Sequence, residues 1–123
     1  MGRPFFLSCR TDGPLMPTCA NLFDEISPAA TEEEVTPLLS RPGLRIERIV
    51  STGQASPPGF WYDQDQEEWV MVVSGAALLR LAEEAEPRRM GAGDYLLIPA
   101  HCRHRVDWTD PMVPTVWLAL HFA

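Results

Sequence analysis

Two short stretches of this chain place side chains capable of chemistry at close spacing. In the first, Tyr62, Gln64 and Glu68 lie between the aromatic cluster Phe60-Trp61-Tyr62 and the apolar run Trp69 to Val73. In the second, His101 and His104 follow Pro99-Ala100 and lead into Arg105-Val106-Asp107-Trp108. A strand repeats its orientation every second residue, so Glu68 shares a face with Val70 and Val72, and His104 with Val106 and Trp108. If those faces are the apolar ones, a carboxylate and an imidazole point inward. A buried carboxylate has to be paired, hydrogen-bonded or bound to metal. Imidazole is both the commonest transition-metal ligand and the side chain that titrates nearest neutrality. The chemistry on offer is metal binding or proton transfer; the ordinary alternatives are a solvated hairpin loop for Glu68 and a hydrogen-bonded core position for His104.

The neighbouring polar groups extend this set. His101, three residues before His104 in a predicted turn, is either an exposed loop histidine or a second nitrogen ligand or proton-transfer group at the rim. Tyr62 and Gln64 share strand parity, and glutamine is a weaker ligand than imidazole for iron or zinc, so both read first as hydrogen-bonding groups for a ligand. Trp108 and Tyr62, inward by parity, are the expected pocket walls. His121 shares parity with Trp117 and Ala119, and its face is either the cavity or solvent. No G-x-S-x-G, P-loop or H-E-x-x-H pattern accompanies these residues, so nothing points to a nucleophilic serine, a nucleotide site or zincin chemistry.

The elements that must carry these groups are short β-branched and aromatic runs separated by Gly, Pro and Asp. The expected strands are Leu44 to Ser51, Gly59 to Gln64, Glu68 to Val73, Ala76 to Ala82, Asp94 to Ile98, Arg103 to Trp108 and Thr115 to Phe122. Strands so closely spaced predict an all-β sandwich or small barrel. Ser74-Gly75 and Gly91-Ala92-Gly93-Asp94 read as tight turns. Thr31-Glu32-Glu33-Glu34 has capping-box spacing and is followed by Val35, Leu38 and Leu39 at helical intervals, which predicts a short helix limited by Pro37. Residues 1–20 hold prolines and no sustained periodicity and read as an irregular arm, leaving 21–123 as one domain.

Length and composition agree. A chain of 123 residues, 46% hydrophobic and 22% charged, suits one core and not two domains. It carries 17 acidic against 10 basic residues for a net charge of -7, and every basic residue is arginine. Such a surface repels a phosphate backbone, which sets nucleic-acid binding aside. No apolar run approaches the length of a membrane span, and the expected compartment is the cytoplasm. The 3 cysteines lack C-x-x-C spacing and are read as reduced thiols.

Gly93, five residues, Pro99, Ala100, His101, two residues and then His104 resembles the second of the two motifs of the cupin family. Glu68 to Gly75 reproduces the glutamate-to-glycine part of the first cupin motif, and His101 stands where the second usually has glycine. The likeness spans residues 44–122. Aligned on Glu68, Tyr62 and Gln64 fall where metal-binding cupins carry their paired histidines; a shift by one offers Trp61 and Asp63, and neither register supplies a histidine. The resemblance implies a double-stranded β-barrel of jelly-roll form and a homodimer. It also implies one divalent transition metal, iron, nickel, manganese or zinc, held by Glu68 and His104 with Gln64 or His101. Tyr62 or His101 would move a proton, with Tyr62, Gln64 and Trp108 around a small organic ligand, in a dioxygenase or isomerase. The alternatives are a sensor or storage cupin that binds a small molecule without metal or catalysis, and a purely structural dimeric module.

Overall fold

The computed structural model describes residues 17–123; of the expected arm at residues 1–20, residues 1–16 lie outside the described residues and 17–20 belong to no helix or strand. The elements run β1 (Glu34–Arg41), β2 (Leu44–Ser51), β3 (Glu67–Ser74), β4 (Ala76–Leu81), β5 (Arg88–Gly91), β6 (Tyr95–Ile98), β7 (His104–Thr109) and β8 (Thr115–Phe122). They form a five-stranded sheet in the order β1-β2-β8-β3-β6 and a three-stranded sheet in the order β5-β4-β7. All the strand pairs are antiparallel. Alternation places Val70 and Val72 of β3 and Trp117 and Ala119 of β8 on the inner face, against Ala77 and Leu79 of β4, Met90 of β5 and Ile98 of β6.

The sequence expectations for β2 and β8 coincide with the observed strands, and those for β3, β4, β6 and β7 agree to within a residue at each end. Three departures have local causes. The described residues form no helix: Glu34–Arg41, where the helix was expected, is a strand paired to β2. Pro42-Gly43, with Gly43 at φ 75°, closes a tight hairpin that outweighs the capping-box spacing. Pro37 fits because β1 is an edge strand and the ladder is already irregular between Pro37 and Leu39. Gly59 to Gln64 is not a strand but a loop held by one bridge, Tyr62 to His104. The four-residue β5, rich in charge and preceded by Pro87, carries too little pattern to be read in advance. Cys19 is disulfide-bonded, against the expectation of reduced thiols, and Cys102 is the free cysteine among the described residues.

Two contacts position the pocket's walls. Arg48, buried on β2, donates through Nη1 to the carbonyls of Leu22 at 3.0 Å and Asp24 at 2.6 Å, fastening the segment before β1 across the sheet. Gly75, at φ 93°, passes the chain from β3 in one sheet to β4 in the other. A Cβ there would stand 2.5 Å from Thr115 Oγ1 and 2.6 Å from Thr115 Cα, whereas a Cβ at Gly43 would meet nothing within 4 Å. Gly75→Ala should therefore cost about 2 kcal/mol or more, combining backbone strain with overpacking, and Gly43→Ala about 1 kcal/mol from strain alone. Urea unfolding of both variants checks this; equal losses would contradict it.

Candidate functional site

The inner faces of β2, β3, β7 and β8 converge on a cavity of about 200 Å³, small enough to admit only a small molecule. Its apolar walls include Ile49, Val70, Leu79, Ile98, Val106 and Trp117. Set into them are Glu68, His104 and His121, which are 8%, 4% and 5% exposed. The antiparallel register puts Glu68 of β3 directly opposite His121 of β8. His104 opens β7, and its backbone exchanges hydrogen bonds with Tyr62, N to O at 2.7 Å and 3.1 Å. The Tyr62 ring stacks on the His104 ring with centroids 5.2 Å apart. Arg105, beside His104, donates to the carbonyls of Ser56, Pro57 and Phe60 and so straps the loop carrying Tyr62 along β7.

Hydrogen-bond roles and the directions of the two shifts together set the protonation of the centre. His104 Nδ1 is 2.9 Å from the Cys102 carbonyl oxygen, which can only accept, so Nδ1 carries a proton. The other nitrogen, Nε2, lies 3.3 Å from Glu68 Oε1, a contact that needs one proton between the two atoms, on the ring or on the carboxyl. Glu68 is shifted down and His104 up, which places that proton on the ring and makes the pair an imidazolium and a carboxylate. Burial alone pushes the Glu68 carboxyl up, but the His104 hydrogen bond, the positive fields of His121 and His104 and the Gln64 amide together hold it below its ordinary value. Burial pushes His104 down, and the Glu68 hydrogen bond, the Cys102 carbonyl and the Glu68 charge outweigh it, so its value is raised. Gln64 Nε2 donates to Glu68 Oε1 at 3.1 Å. Burial first, then the charges of Glu33 and Glu68, raise the Tyr62 phenol, which stays a donor.

Glu68 turns Oε1 to His104 and Oε2 to His121, the latter at 3.9 Å, so its oxygens serve two imidazoles on different strands. His121 Nε2 is closer to Glu47 Oε1, at 3.3 Å, and Glu47 in turn takes Arg45 Nε at 2.9 Å. Among the described residues no group of three or more His, Cys, Asp or Glu side chains is arranged to hold an ion. As they stand, these side chains do not fit the divalent metal that the resemblance implies.

Of the residues singled out in the sequence, Tyr62, Gln64, Glu68 and His104 are brought together in the cavity. His101 is not: at φ 61° it points away, with Nδ1 2.8 Å from Asp63 and Nε2 3.5 Å from Asp65, both exposed. Trp108 does not line the cavity either, because β7 gains a residue against β4 between Val106 and Trp108 and strand parity fails across that bulge. Trp117 takes its place. Glu33, Arg45 and Glu47 were missed; alternation of Arg45, Glu47 and Ile49 along β2 is the signal that marks the latter two. His121, undecided by parity, faces the cavity.

The ion pair makes stability depend on pH in a defined window. The Glu68 contribution is present above its ordinary 4.5 and is lost as pH falls through its lowered folded value. The His104 contribution is fully present below its ordinary 6.5 and is lost as pH rises through its raised folded value. Urea midpoints measured against pH should show a pair-dependent maximum between those two values, flattened in Glu68→Gln. An unchanged profile in that variant would disprove the pairing.

The profile of the family described as "Cupin domain" matches residues 48–121. Among curated proteins none matches. A solved protein from Ralstonia eutropha JMP134, provisionally named a mannose-6-phosphate isomerase, is 58% identical over 86% of this chain and 98% of its own, with a TM-score of 0.85. An RmlC-like cupin with a double-stranded β-helix fold from Methanocaldococcus jannaschii is 17% identical over 80% of this chain and 86% of its own, with a TM-score of 0.62. A cupin superfamily protein from Desulfitobacterium hafniense DCB-2 is 12% identical over 94% and 98%, with a TM-score of 0.68. The last two share the fold. With the two-sheet barrel and a family match across most of its strands, the chain belongs to the cupin family.

Proposed function

We propose that this cupin is an isomerase that moves a proton between neighbouring carbons of a small hydroxy-carbonyl compound. The observation that carries the reading is the buried Glu68–His104 pair at 3.3 Å, facing an apolar cavity under a protonated tyrosine. The ionised Glu68 carboxylate is a base shielded from water, and a carboxylate so placed accepts a proton from the carbon beside a carbonyl. The electron pair released forms the enediolate. The Tyr62 hydroxyl and the His104 Nε2 proton are the donors available to its oxygen. The donor gives its proton to the former carbonyl oxygen and takes one back from the neighbouring hydroxyl as that becomes the new carbonyl. Glu68 returns its proton to the former carbonyl carbon, which completes an aldose–ketose type of interconversion with no net gain or loss of protons or electrons. Gln64 steadies Glu68 Oε1 and leaves Oε2 as the more open oxygen. The name of the Ralstonia eutropha relative is consistent with an isomerase.

Two measurements test this. Small sugars incubated with the protein in heavy water should take up deuterium at the carbon next to the carbonyl, read by proton NMR. Glu68→Gln should lower that uptake by about 10²- to 10⁴-fold, the usual worth of a general base. Undiminished uptake in the variant would refute the role of Glu68, and binding without uptake would identify a non-catalytic ligand-binding cupin. Elemental analysis of protein purified without a histidine tag should find no stoichiometric metal. Near-stoichiometric iron, nickel, manganese or zinc that is lost in His104→Ala would overturn the proton-only reading.

A further inference from the structure

The charges around the cavity bear on what it accepts. Three carboxylates line it, Glu33, Glu47 and Glu68, against one guanidinium, Arg45, whose Nε is already paired with Glu47 at 2.9 Å. Glu33 is not free to swing away: its Oε2 takes the hydroxyl of the fully buried Ser51 at 2.7 Å, and Ser51 in turn accepts Trp117 Nε1 at 3.1 Å. Nor are other arginines in reach, since Arg48 is committed to main-chain carbonyls and Arg80 and Arg105 share Asp107. The described residues form no helix, so no helix N-terminus supplies backbone N–H groups to an anion. The two imidazoles of the lining are taken as well, His104 Nε2 at 3.3 Å from Glu68 Oε1 and His121 Nε2 at 3.3 Å from Glu47 Oε1, which leaves Glu33 with no cationic partner among the described residues.

Resting on the proton-transfer reading of this same pocket, we propose that its substrates are unphosphorylated hydroxy-carbonyl compounds. An amino substituent is favoured, and phosphate esters are turned away. A dianionic phosphate in this cavity would meet Glu33 and Glu47 at close range, and like charges set side by side at a binding site suppress the wrong partner. An ammonium group meets the same carboxylates as partners. Specificity here comes from repulsion of the wrong ligand as much as attraction of the right one.

Calorimetric titration of the full chain with D-mannosamine, D-mannose and D-mannose 6-phosphate at one salt concentration tests the inference. The expected order of affinity is amino sugar, then neutral sugar, then phosphate ester, with at least about tenfold between the first and last. Glu33→Gln, and separately Glu47→Gln, should narrow that gap. Equal binding, tightest binding of the phosphate ester, a gap unchanged in both variants, or no binding of any of the three overturns the inference. Deuterium uptake into the bound sugar reports on the underlying reading separately. The expected order without uptake refutes proton transfer and leaves charge selection standing, while uptake led by the phosphate ester does the reverse.

Discussion

A carboxylate carried into an apolar barrel must be given compensating charge and hydrogen bonds, and Glu68 makes that demand on three separate parts of the fold. Strand alternation leaves it no outward option, since Val70 and Val72 on the same face belong to the core. β7 supplies His104, β8 supplies His121, and the loop before β3 supplies the Gln64 amide. Each is held by its own contacts. Removing one partner from such a centre would leave a charge buried without compensation, which is why it acts as one unit.

The loop that carries Tyr62 and Gln64 illustrates how a cupin barrel can position a site without regular structure. Its backbone touches β7 at Ser56 and Tyr62, Arg105 gathers three of its carbonyls, and Asp107 holds the Arg105 guanidinium at 2.7 Å. His101 contributes from outside the cavity, its N–H donating to the Gln64 carbonyl at 2.7 Å and its ring pairing with Asp63. The residue that spacing offered as a ligand is instead part of the loop's outer fastening. That contact explains how a histidine in the left-handed region, where glycine is usual, is tolerated at this turn.

Most of the barrel was legible because its strands obey simple alternation and end at glycine or proline. The inward placement of Glu68 and His104 followed from period two alone. Trp108 was misplaced because one bulged residue reverses parity, and a bulge leaves no mark in composition. β1 was misread because capping-box spacing and the Pro42-Gly43 turn compete in one short segment, and only the pairing with β2 decides between them. Glu33 could not be found from periodicity at all: it precedes the first strand, and its place at the cavity rests on a long-range bond to Ser51. Charge in this pocket is thus assembled from segments far apart in the chain.

The central claim is that His104 and Glu68 form an imidazolium–carboxylate pair. Nitrogen-15 NMR of the His104 ring across pH tests it most directly. The account predicts protons on both ring nitrogens at pH 6.5, deprotonation only at a higher pH, Nδ1 retaining its proton after titration, and a downward shift of the titration in Glu68→Gln. A wild-type ring with an unprotonated Nε2 at pH 6.5, or a titration that Glu68→Gln leaves unmoved, would contradict it.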